Sequence, residues 1–134
     1  MSQSINTVFK HNGAEYEFDI RDADDSERFE NAIEKMKSVE KGLSKIGKGS
    51  EIIRGQCKML KDFFDDVLGN GAGAALCTEK DNLSLCYQAY ELFLEMVRAQ
   101  KEDIIKAKNT FLKYSNREQR RAAEKSKKKA ATKK

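Results

Sequence analysis

The sequence predicts a mainly α fold, in which an N-terminal β-hairpin packs on a bundle of about three helices that ends in a long C-terminal helix and a basic tail. Three observations carry this expectation. Apolar residues recur at helical spacing through three long segments. An Asn12-Gly13 pair sits between two short alternating segments near the start. Basic residues collect at the end, where nine lie against two acidic ones between positions 117 and 134, a net of +7 within a chain of net +4. The remaining 116 residues are therefore mildly acidic, at −3. We expect one helical domain over 1–116, with the hairpin in 1–20, and a disordered or fraying tail over 117–134. A chain of 134 residues suits one small domain burying roughly two-thirds of its unfolded surface.

In the hairpin, Ile5 to Lys10 and Ala14 to Ile20 are the expected strands, flanking His11, Asn12 and Gly13. Asn and Gly tolerate the positive φ that a tight primed turn requires. The second strand places Tyr16, Phe18 and Ile20 on one face and Glu15, Glu17 and Asp19 on the other, so one face packs and one is wet. Two strands alone are marginal in water and must lie on the helices. His11 reads as a solvated turn residue.

Asp22, Asp24, Asp25 and Ser26 supply candidate N-caps and a favourable charge for the first helix. Its apolar stripe is Phe29, Ile33, Met36, Val39 or Glu40, Leu43 and Ile46, and Gly47 and Gly49 stop it. Ser50 is the expected cap of a second helix, about Glu51 to Leu68, whose stripe of Ile52, Ile53, Cys57, Leu60, Phe63, Phe64, Val67 and Leu68 should form the centre of the core. Gly69 to Gly73 reads as a flexible connection rather than a phosphate loop, because no strand precedes it and no Gly-Lys-Ser/Thr ending follows. Ala72 to Cys77 suit a short helical turn.

The longest helical pattern runs from Asn82 to Tyr114, with Leu83, Tyr90, Val97, Ile104 and Phe111 at seven-residue spacing. In its first half Cys86, Tyr87, Phe93 and Leu94 widen the stripe. In its second half Gln100, Lys101, Ala107 and Lys108 thin it, which leaves Ile104, Ile105, Phe111 and Leu112 as apolar patches on a charged helix. Those four are the candidate partner-binding residues, unless the first helix covers them.

Cys57, Cys77 and Cys86 lack metal-type spacing and read as buried small hydrophobes. Asp65 and Asp66 are adjacent on a helix and point apart, so they do not form a catalytic pair. No catalytic, metal or cofactor site is expected, and no run approaches the length of a membrane span. The basic tail, with Arg117, Arg120, Arg121, Lys127, Lys128 and Lys129, has no aromatic residue on which a base could stack. It supports at most nonspecific, salt-sensitive phosphate attraction.

Several short pieces occur in the order that resembles a family of small proteins from tailed phages and prophages of Gram-positive bacteria. They are Phe-Lys-His-Asn-Gly-Ala-Glu-Tyr-Glu-Phe-Asp-Ile at 9 to 20, the acidic start and Glu/Lys-rich first helix, Gln56-Cys57 with Phe63-Phe64-Asp65-Asp66, and Asn116-Arg117 with Arg120-Arg121. Proteins with this pattern are similar to tail assembly chaperones. The resemblance implies a non-enzymatic helper in the host bacterial cytoplasm. The partners it implies during tail assembly are the phage tape measure protein, together with the tail tube protein or a second copy of the chain. Two other readings stay open: a nucleic-acid-associated protein using the basic tail, and a structural tail or connector subunit.

Overall fold

The computed structural model describes residues 5–43 and 47–132, with side chains described as far as Glu124. It is mainly α, with an N-terminal two-stranded antiparallel hairpin. By its contacts the chain forms two compact units, 1–101 and 102–134. Strands β1 (Val8–His11) and β2 (Ala14–Glu17) pair with Phe9 opposite Tyr16 and His11 opposite Ala14. The turn takes the left-handed pair its sequence asks for, with φ 50° at Asn12 and 76° at Gly13. Asn12 Nδ2 also donates to the Leu76 carbonyl at 2.7 Å, which ties the turn to a helix 64 residues away. His11 is the last residue of β1 rather than a solvated turn residue; half-buried, it stacks on Phe9 at 6.1 Å.

Helix α1 (Ala23–Gly42) starts after Asp22, which makes no side-chain cap bond, and carries Asp24 and Asp25 in its first turn. Phe29 and Ala32 are buried, with Ile33, Met36 and Leu43 partly so; Val39 is exposed, and Ile46 lies outside the described residues. Helix α2 (Gly49–Leu68) begins earlier than expected, because the Lys48 carbonyl accepts from both Glu51 and Ile52 N–H groups and so places Ser50 inside the first turn. Cys57, Met59, Leu60, Phe63, Phe64 and Val67 form its buried face, whereas Ile53 is exposed. A Lys35–Asp66 ion pair at 3.0 Å crosses between α1 and α2.

Helix α3 (Ala72–Cys77) follows Gly69 and Gly71, both at positive φ. Gly73 is no part of a loose connection. It is buried, its N–H donates to Asp65 Oδ1 at 2.8 Å, and a Cβ there would stand 2.3 Å from the Lys61 carbonyl oxygen. Only a residue without a side chain lets α3 approach α2 this closely. Thr78 then adopts φ 71°, ψ 163°, a region β-branched residues avoid. The turn it starts is held by Lys61 Nζ, which donates to the Glu79 and Lys80 carbonyls and to Asp81 Oδ1 at 3.1–3.4 Å.

Helix α4 spans Leu83–Thr132. Its buried line is Cys86, Ala89, Phe93, Met96, Val97 and Gln100, while Tyr87 is exposed and Leu83, Tyr90 and Leu94 are only partly buried. The seven-residue series predicted a face turned slightly to one side. A straight α-helix advances 3.6 residues per turn, so the buried line steps by threes and fours from Cys86 instead.

Phe93 is the hub of the core. Its ring lies 5.1–6.4 Å, centroid to centroid, from those of Phe9, Phe18, Phe29, Phe63 and Phe64, which come from the hairpin, α1 and α2. Edge-on and tilted aromatic contacts of this kind add roughly 0.5–1.5 kcal/mol each to plain burial. Beside this cluster the fully buried Gln100 reaches the hairpin exit. Its Oε1 accepts from Ile20 N–H at 2.8 Å, and its Nε2 donates to the carbonyls of Phe18 (2.8 Å) and Asn6 (2.9 Å). In the sequence Gln100 only thins the apolar stripe; in the fold it supplies hydrogen bonds of the kind a third strand would make.

Candidate protein-docking surface

The aromatic core sharpens what is unusual about the second half of α4. Of the seven phenylalanines in the chain, Phe93 and the five that surround it form the core cluster, and the seventh, Phe111, is 68% exposed. Ile104, Ile105 and Leu112 are exposed at 41%, 56% and 44%, and Tyr114 at 66%. On an α-helix Ile104 and Phe111 are two turns apart, about 10 Å along the axis, and Ile105 and Leu112 repeat the same step. The four candidate residues thus form one patch, set among the charged residues Lys101, Glu102, Asp103, Lys106, Lys108 and Lys113. Tyr114, which is not among the four candidates, sits three residues beyond Phe111 and extends the patch.

The basic candidates fall farther along the same helix. Arg117, Arg120 and Arg121 are exposed; Lys113, Asn116, Arg117 and Arg120 line one shallow polar surface, and Arg121 pairs with Glu118 at 3.9 Å. Lys127, Lys128 and Lys129 are within the span of α4, with side chains outside the described residues.

The cysteines are brought together by three different helices. Cys57, Cys77 and Cys86 are all free and fully buried, and their thiols lie near enough to influence one another. Burial pushes the Cys57 thiol up to about 11 and raises the other two, so all three hold their protons at neutral pH. Among the described residues no group of three or more His, Cys, Asp or Glu side chains is placed to hold a metal ion. Asp65 and Asp66 serve separate structural contacts, to Gly73 N–H and to Lys35. A cavity between α1 and α2, lined by Ala32, Met36, Met59 and Phe63 among others, is about 20 Å³, the size of a single water. No helix is long and apolar enough to cross a membrane among the described residues.

Residues 12–124 match a family described as of unknown function, DUF6673. The chain belongs to that family. No curated protein and no solved structure matches it. Within the DUF6673 match lie the rings of the Phe93 core other than Phe9, and the exposed α4 patch from Ile104 to Tyr114. Lys127 to Lys129 lie beyond it.

Proposed function

We propose that this DUF6673 protein is a non-enzymatic binding protein of the host bacterial cytoplasm, and that it acts as a phage tail assembly chaperone holding the tape measure protein during tail morphogenesis. One observation carries the reading: Ile104, Ile105, Phe111 and Leu112 stand exposed as a patch on α4, while Phe93 of the same helix and Phe9 and Phe18 of the hairpin segment are buried in the core. Exposed apolar patches rimmed by charge mark interfaces on soluble proteins, and a helix face of this type takes another helix. The order of sequence pieces from the hairpin to Arg120-Arg121 supplies the tail-chaperone half of the proposal.

Co-expression with an affinity-tagged tape measure protein from the same phage tests it. The wild-type chain should be retained with the tag. A variant with Ile104→Ser and Phe111→Ser should be lost, with its helical circular dichroism and melting temperature nearly unchanged, because neither side chain is in the core. Equal retention of the variant would refute the reading, and unfolding of the variant would reassign the patch to structure. A second reading, nonspecific nucleic-acid association, is favoured by the exposed basic surface formed by Lys113, Arg117 and Arg120.

A further inference from the structure

Lys108 stands at the centre of the α4 patch. The nearest surface neighbours of a helical residue are three and four positions away on each side. For Lys108 these are Ile104, Ile105, Phe111 and Leu112, the four exposed apolar residues themselves. Lys108 is itself exposed, and no carboxylate among the described residues pairs with it. Anything that covers the four apolar side chains also covers its ammonium group. An ammonium taken out of water without a partner is strongly unfavourable, whereas one seated against a carboxylate becomes a contact that fixes partner and register.

The geometry points to an amphipathic partner helix whose apolar stripe carries one Asp or Glu at its centre, seated against Lys108. This rests on reading the patch as a docking surface and adds the chemistry of what docks there. A second copy using the same face about a two-fold axis would set lysine against lysine at the middle of the interface, which like-charge repulsion opposes. A lipid surface would have to take up an ammonium from the middle of the inserted face rather than from its rim. The wider charge agrees with an acidic partner: residues 102–134 hold 12 basic and 4 acidic side chains, a field that speeds the approach of an anionic helix.

The experiment uses the full chain and two synthetic helical peptides of identical composition. One carries Glu in the middle of a leucine stripe and Lys on its outer face; in the other these two residues are exchanged. In fluorescence anisotropy at physiological salt, the Glu-centred peptide should bind at least about tenfold more tightly. Lys108→Glu should reverse the preference, and Lys108→Met should bind the two within about threefold of each other. Circular dichroism should be the same for all three proteins, since position 108 is exposed. Equal binding of both peptides, abolished by Ile104→Ser with Phe111→Ser, would overturn the charge match and leave the docking surface standing. No binding of either peptide would overturn both. Dimerisation, or binding to anionic lipid vesicles, that is lost in the same double variant would overturn the partner assigned here.

Discussion

Gln100 is where a single side chain decides whether the hairpin stays attached. Its amide satisfies the buried N–H of Ile20 and carbonyls of Phe18 and Asn6, groups that have no strand beside them. Replacing it by leucine keeps the volume and removes every one of these bonds, leaving buried backbone groups to bear the desolvation cost. Gln100→Leu should therefore lose about 2–4 kcal/mol in urea unfolding, more than a surface substitution. A loss under about 0.5 kcal/mol would mean that water replaces the amide. By spacing alone, Gln100 stands where the apolar stripe gives way to solvent. A polar residue at a core position is visible in a sequence, but its purpose depends on unpaired backbone 80 residues away, which no local pattern records. Phe93 was the opposite case: its helical spacing placed it in the stripe without any tertiary information.

Between elements, close approach rather than hydrophobic volume sets the architecture. Gly73 lets α3 lie against the Lys61 backbone, and Cys57, Cys77 and Cys86 meet where α2, α3 and α4 converge. Helix existence, the hairpin turn and the central role of α2 were legible because periodicity and Asn-Gly turn chemistry are local. The thiol contact was not, since the three cysteines are spread over 30 positions and meet only through tertiary packing. It has a consequence at high pH. An unfolded thiol loses its proton near 9, while burial holds the Cys57 thiol protonated to about 11 and raises Cys77 and Cys86 as well. The unfolded state then binds fewer protons than the native one, so the stabilisation present below pH 9 is lost as pH rises toward 11. Urea midpoints should fall over that window, and Cys57→Ala, less stable at pH 8, should show a shallower decline. An identical slope in the variant would place the alkaline sensitivity elsewhere.

At the scale of the chain, the buried residues among those described all precede position 101, whereas positive charge concentrates after it. Removing residues 117–134 deletes no apolar side chain larger than alanine and leaves the docking patch and Lys108 in place. The shortened chain should melt cooperatively within a few degrees of the full one, as changes outside a core do. It should also keep its preference for the Glu-centred peptide, with a slower association rate because the long-range field is weaker. Nucleic acid separates the two functional readings. If the basic end serves phosphate binding, the full chain should retain duplex DNA at low salt, release it steeply as salt rises, and lose it on truncation. A truncated chain that captures the tape measure protein undiminished while no longer touching DNA would assign partner capture to the apolar patch and leave the charge an accessory role. Loss of tape measure capture on truncation, with folding intact, would instead move the binding surface past Asn116.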